Sequence, residues 1–262
     1  MQIITLTTDF GWKDYYVGKL KGYLLRENTT INIIDITHDV TSFNTIEGTF
    51  ILKHCYKDFP LGTIHILSVN NFYAENPPRM LAIFHKGYYF LGPDNGQFSL
   101  LFDGEIPEKC YELVWEKQEN KTPIEILFQT YAKAVAHLTQ QLSIEEIGIP
   151  NNWILQRISL QPIIGKDFIR AAIIHIDKYE NVILNITREV FERIGKGRKF
   201  QLFYRNFDPI TKLSQHYGEV AIGDVLCIFN AAGLLEIAIN LAKASSLLDL
   251  HKDELVEIQF LD

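Results

Sequence analysis

The chain has 262 residues and a formal net charge of −7, with no cluster of Lys and Arg. That length buries a substantial core as one large domain or two modest ones. The acidic balance argues against a surface built to neutralise phosphates, so nucleic acid is not an expected partner. No apolar run is long enough for a spanning helix, and MQIITLTTDF has neither the basic n-region nor the cleavage site of a signal peptide. Cys55, Cys110 and Cys227 are widely spaced, odd in number and free of any CxxC pattern. They read as buried thiols in a reducing cytoplasm rather than disulfides or zinc ligands.

In chain order, IITLTTDF reads as a strand and YYVGKLKGYLLREN as a helix. INIIDIT is a second strand, the stretch around IEGTFILKHCYKDF is helical, and TIHILSV is a third strand. This alternation predicts an α/β N-terminal domain with a layered, largely parallel sheet. YAKAVAHLTQQL is an amphipathic helix, closed by the Gly and Pro of SIEEIGIP. Beyond it the texture changes to short β-rich runs: FIRAAIIHIDKYENVILNI, KFQLFYRNF, DVLCIFNAAG and LVEIQFL. They predict a smaller all-β, barrel-like C-terminal domain, interrupted by one helix at LLEIAINLAKASSLL. The expected domains are residues 1–152 and 163–262, joined through NNWILQRISLQP.

Ligands of α/β sheets sit outside the carboxyl ends of the strands. Polar clusters follow the runs there: TTDFG (7–11), DITHD (35–39), SVNN (68–71) and GPDNG (92–96). Asp9 is the candidate to accept hydrogen bonds from the vicinal hydroxyls of a ribose, against the plainer role of capping a helix or holding a turn. His38 between Asp35 and Asp39 reads as a hydrogen-bonded structural histidine, because no spaced His/Glu pair completes a metal set. Asp94 and Asn95 form a turn signature first and a ligand contact second. No GxGxxG, P-loop, GxSxG or HExxH is present.

Taken together, TTDFGWKDYYVGKLKG, IIDITHDVTSFN, FPLGTIHILSV, GPDNGQFSLL, IDKYENVILNI and FNAAGLLEIAIN resemble the S-adenosylmethionine hydroxide adenosyltransferase family along nearly the full chain. These enzymes are related to fluorinases and chlorinases. The resemblance implies a homotrimer, with an adenosyl ligand between the N-terminal domain of one subunit and the C-terminal domain of its neighbour. It implies cleavage of S-adenosylmethionine by water to adenosine and methionine, with S-adenosylmethionine as substrate and no separate cofactor. The leaving group is a neutral thioether departing from a sulfonium, so in-line attack at C5′ needs neither a metal nor a general acid. By resemblance Asp9 grips the ribose, Phe43 lies beside sugar and adenine, Asn181 contacts adenine and Asp177 stands near the methionine ammonium.

The catalytic positions depart from the family pattern. Where relatives carry a catalytic Asp this chain has Asn70, followed by Asn71, Phe72, Tyr73 and Ala74. Asn70 and Arg79 are the catalytic candidates left near that loop, although Arg79 aligns better with a second, non-catalytic Arg of the family. Ile126 stands roughly where relatives have His, and Ala231 and Ala232 replace a Ser and its partner near the methionine carboxylate. Asn70 cannot accept a proton as a carboxylate does, and Ile126 offers no polar atom. Three expectations follow. One is a hydrolase whose water is held by substitutes such as Asn70, Tyr73, Glu75 or Glu125; another is a non-catalytic adenosyl-binding protein; the third is a scaffold trimer with no ligand.

Overall fold

The computed structural model describes residues 2–72, 79–114, 118–205 and 207–261, which divide into two compact units, 1–159 and 160–262. Both are sheet-rich with few helices, and one of the two sheets curls as a half-barrel.

The first unit runs β1 (Ile3–Thr8), α1 (Tyr16–Glu27), β2 (Asn32–Thr37), α2 (Thr45–Lys53), β3 (Ile64–Ser68), β4 (Met80–His85), β5 (Tyr88–Pro93), α3 (Gln97–Leu101), β6 (Lys109–Leu113), α4 (Pro123–Thr139) and β7 (Ile149–Pro150). Its strands are ordered β2-β1-β3-β5-β4-β6-β7. The first four are mutually parallel, whereas β4, β6 and β7 run antiparallel, so the sheet is mixed rather than largely parallel. The reason is local. Lys86 and Gly87, with φ of 49° and 84°, form a two-residue turn with both centres left-handed, and such a turn joins only antiparallel neighbours. One apolar cluster joins the sheet to α1 and α4 through Leu20, Leu24, Leu127 and Phe128. A second carries Leu52 of α2, Phe98 and Leu101 of α3, and Leu67, Leu81 and Phe90 of the sheet.

His65 of β3 lies in that second region, fully buried. Its Nδ1 is 2.7 Å from Thr5 Oγ1, and Tyr56, Phe59, Tyr88 and Phe90 surround the ring. Burial pushes its pKa down to about 3. The unfolded chain therefore binds a proton near the ordinary histidine pKa that the folded chain refuses. Stability is present above that pKa and is lost as pH falls toward 3. Between neutral pH and pH 4 this one group should remove about 3 kcal/mol of unfolding free energy. Denaturant titrations at both pH values check this: His65→Gln should lose correspondingly less, and an equal loss in the variant would assign acid sensitivity elsewhere.

The second unit comprises β8 (Ile163–Ile164), β9 (Phe168–Ile176), β10 (Val182–Thr187), α5 (Arg188–Gly195), β11 (Phe200–Phe203), β12 (Leu213–Ser214), β13 (Val225–Phe229), β14 (Leu234–Ile239), α6 (Ala244–Leu248) and β15 (Leu255–Phe260). Its sheet is ordered β11-β15-β9-β10-β14-β13-β12, with β8 on β9, around a single large apolar cluster. The unit is not all-β. Thr187 caps α5 by accepting from the Val190 amide at 3.2 Å, and Lys196 closes it in the left-handed region. The expected helix at LLEIAINLAKASSLL is instead β14 followed by the short α6. All six residues of β14 are buried, and an apolar run covered on both faces carries no period that separates strand from helix. Among the described residues no helix is long and apolar enough to cross a membrane.

Candidate functional site

Within the first unit, β1 lies between β2 and β3, and all three run parallel. The loop leaving β1 heads toward β2 and the loop leaving β3 heads the other way. In open α/β sheets such a divergence is where ligands bind, beyond the carboxyl ends of the two strands. Thr8 and Ser68 are in register there, so the residues following each strand meet across the opening.

Asp9 occupies this point. Its Oδ2 accepts the backbone N–H of Phe43 at 2.9 Å and of Asn70 at 3.2 Å. Both residues sit at positive φ, 68° and 51°, a conformation costly for a side chain larger than Asn. The carboxylate thus holds two loops, one after β2 strained at Phe43 and one after β3 where Asn70 tolerates the left-handed turn. Among the described residues no donor reaches Oδ1, which stays available for a ligand. Phe43 projects its ring into solvent, 72% exposed. The structure therefore brings Asp9, Phe43 and Asn70 together.

The GPDNG segment braces this mouth. Asn95 Nδ2 donates to the carbonyls of Val69 at 2.9 Å and Asn70 at 3.3 Å, fixing the end of β3. Gly92 is obligatory, since a Cβ there would lie 2.3 Å from the Leu67 carbonyl oxygen. Asp94, almost fully buried, is paired with Arg79 and accepts the Leu155 amide at 2.8 Å. Burial raises the Asp94 pKa, against the opposing pull of that amide and of Arg79. Arg79 also donates to Asn151 Oδ1 at 3.2 Å and stacks over Trp153 at 3.5 Å. The structure turns Arg79 onto this structural pair and does not bring it to Asp9.

His38 is fully buried behind the β1 end, its Nδ1 2.7 Å from Thr8 Oγ1. Its Nε2 lies 3.0 Å from Asp35 Oδ1. Burial lowers the His38 pKa, against the opposing pull of Asp35. Lys21 pairs with the other Asp35 oxygen at 2.5 Å. Among the described residues no three His, Cys, Asp or Glu are arranged to hold a metal. Glu125 pairs with Lys19 at 2.7 Å and caps α4 through Thr122; these contacts bring its pKa down to about 2. Ile126 is buried on α4. Tyr73, Ala74 and Glu75 lie outside the described residues.

Ser68 and Asn71 of the SVNN cluster meet Tyr131 of α4, which the sequence reading missed, and all three are buried. Ser68 Oγ donates to Asn71 Oδ1 at 2.9 Å, and the Tyr131 hydroxyl lies 3.2 Å from Ser68 Oγ. Burial, together with the charge of Asp9, raises the Tyr131 pKa, so the phenol keeps its proton. Within an amphipathic helix a lone Tyr reads as core, so only its hydroxyl's surroundings reveal the polar role.

In the second unit, Asp177 and Asn181 flank the β9–β10 turn. Asp177 Oδ1 accepts the amides of Tyr179 and Asn181 at 2.9 and 2.8 Å, and its Oδ2 accepts Asn181 Nδ2 at 3.0 Å. Both line a cavity of about 600 Å³ together with Tyr179 and Tyr217. Tyr217 donates to Glu236 at 2.8 Å, and Asn230 Nδ2 donates to the other Glu236 oxygen at 3.2 Å. Burial raises the pKa of Glu236, with Asp177 adding to the effect. Ala231 and Ala232 stand in the adjoining turn, where Asn230 Oδ1 accepts the Ala232 amide at 3.0 Å.

Fold and site define a protein of two sheet-rich domains, with a carboxylate tying two loops together at the strand switch point of the first. The chain belongs to the S-adenosylmethionine hydroxide adenosyltransferase family: residues 4–148 match its N-terminal domain and residues 171–257 its C-terminal domain. It is 29% identical to the (R)-S-adenosyl-L-methionine hydrolase of Methanocaldococcus jannaschii, over 98% of this chain and 96% of that protein. It is 25% identical to the hydrolase of the same name from Thermus thermophilus, over 96% and 97%. Among solved structures, an uncharacterized conserved protein from Thermotoga maritima superimposes with a TM-score of 0.85 at 25% identity, over 99% of this chain and all of the other.

Proposed function

We propose that this protein hydrolyses S-adenosylmethionine to adenosine and methionine, with water attacking C5′ opposite the departing sulfur. The observation that carries this reading is Asp9, a carboxylate at the strand switch point with one oxygen held by two backbone amides and the other without a donor among the described residues. That oxygen takes the ribose diol, and Phe43 lies against the sugar. Asn181 contacts adenine, and Asp177 faces the methionine ammonium. On this reading the N-terminal unit is a layered α/β nucleoside-binding domain and the C-terminal unit is barrel-like. The ligand site is completed by a neighbouring subunit of a homotrimer. The three free cysteines, held as thiols by burial with pKa values raised to about 11, 11 and 12, support a cytoplasmic setting.

Catalysis here relies on placement and exclusion of water rather than on a strong base. Asn70 offers no carboxylate and Ile126 no imidazole. Without the acid–base contribution, turnover is expected to be slower than that of a base-equipped relative by roughly 10²–10⁴-fold. The same two residues favour a second reading, a protein that binds the adenosyl group without turnover. Chromatography of purified protein incubated with S-adenosylmethionine separates them. Adenosine and methionine should appear in equal amounts and fall to the level of spontaneous decay in Asp9→Ala. No product above that control, with adenosine still bound in calorimetry, would establish the binder.

A further inference from the structure

We infer that the side-chain amide nitrogen of Asn71 is the donor that seats the attacking nucleophile, a role that rests on the adenosyl-transfer reading above. The orientation of this amide is decided by its neighbours. Asn71 Oδ1 receives Ser68 Oγ at 2.9 Å, with the Tyr131 hydroxyl 3.4 Å away. The Tyr131 hydroxyl also donates to Ser68 Oγ at 3.2 Å. With the amide reversed, the two hydroxyls could serve only each other, and one of their two protons would have no acceptor among the described residues. Both hydroxyls are fully buried, so the reversed form would carry the cost of an unmade hydrogen bond.

The nitrogen is thereby directed away from the pair. Asn71 is only 5% exposed, and among the described residues nothing accepts from its Nδ2. Unlike the sealed polar atoms of Thr7 and His65, this nitrogen keeps some accessible surface. A largely buried amide with two unpaired N–H bonds at a strand mouth is a ready donor to whatever enters. Its backbone neighbour Asn70 is bound through N–H to Asp9 Oδ2 at 3.2 Å, which ties the donor to the proposed ribose anchor.

The chemistry of an amide donor suits a nucleophile that is oriented rather than deprotonated. Nδ2–H takes one lone pair of the water and leaves the other aimed at C5′. The O–C5′ bond forms as the C5′–S pair withdraws onto sulfur, and methionine departs as a neutral thioether. The oxygen, now carrying one proton too many, releases it to solvent water. Asn71 is a catalytic residue in this scheme, whereas Ser68 and Tyr131 are positioning residues that act through it.

Steady-state kinetics with S-adenosylmethionine, calorimetry with adenosine and thermal melting test the assignment on Asn71→Ala and Tyr131→Phe. Asn71→Ala should lower kcat by roughly 10–100-fold with adenosine affinity unchanged. Tyr131→Phe, which removes one hydroxyl and keeps the ring, should lower kcat by roughly five-fold, again with adenosine affinity unchanged. It also keeps the test decisive if Asn71→Ala does not fold. An unchanged kcat in either folded variant overturns the inference and leaves the hydrolase reading intact. So does a loss of kcat matched by an equal loss of adenosine affinity, which would mark a structural tie. Absence of turnover in the unaltered protein fells both together.

Discussion

Asp9→Ala should weaken adenosine binding by roughly 100-fold, the scale of about 3 kcal/mol for hydrogen bonds between a carboxylate and a ribose diol. Two effects add. The variant removes the open Oδ1, and it also removes the shared acceptor for the Phe43 and Asn70 amides, at 2.9 and 3.2 Å. Phe43 holds a positive φ that an isolated chain avoids, so its loop should relax, and the loop of Asn70 loses its tie to Asp9. Asp9→Asn should fall between, since its amide oxygen still accepts but carries no charge. Calorimetry with adenosine, alongside thermal melting to establish that each variant is folded, reads the effect. A folded Asp9→Ala protein with unchanged affinity would remove Asp9 from the ligand site and leave it as a clamp for two loops.

The second large effect concerns stability. Arg79→Ala should reduce the unfolding free energy by about 2–3 kcal/mol, lowering the melting midpoint by roughly 5–10 °C. Asp94 is 3% exposed, and truncating its guanidinium partner leaves a buried carboxylate short of its principal counter-charge. The Arg79 side chain is itself about a quarter exposed, which keeps the expectation below the full cost of breaking a sealed pair. Trp153 also loses the guanidinium stacked at 3.5 Å. Turnover of S-adenosylmethionine per folded molecule should stay near that of the unaltered protein. A selective fall in kcat without loss of stability would instead return Arg79 to the reacting centre.

Arg79 and Asn71 show where sequence reading and structure part. Arg79 follows a loop that resembles the family's catalytic loop, so sequence order makes it a catalytic candidate. Its direction depends on Asp94, fifteen positions later, and on Trp153, which is brought against it only by folding. Asn71 has the opposite history. In sequence it is a neutral residue beside a missing carboxylate, and its importance appears only when Tyr131 of α4 reaches it from 60 positions away. The mixed sheet was signalled locally by Lys86-Gly87, but the strand–helix alternation before it dominates the pattern. The helix expected at 234–248 failed because burial on both faces erases periodicity.

By itself the sequence determined the two-part organisation of the chain, the strands β1, β2 and β3, the amphipathic α4 and the family to which the protein belongs. It also placed Asp9, Asn70, Asp177 and Asn181 at strand ends and turns. All of these depend on local periodicity or on residue types at short spacing, which neighbouring side chains specify. Only the tertiary structure decided that Asp9 clamps two loops, that Arg79 serves Asp94, and that Ser68 and Tyr131 direct the amide of Asn71. Each of those outcomes is a hydrogen bond or ion pair between residues far apart in the chain. Its geometry exists only once the parallel strands bring their carboxyl ends to one edge.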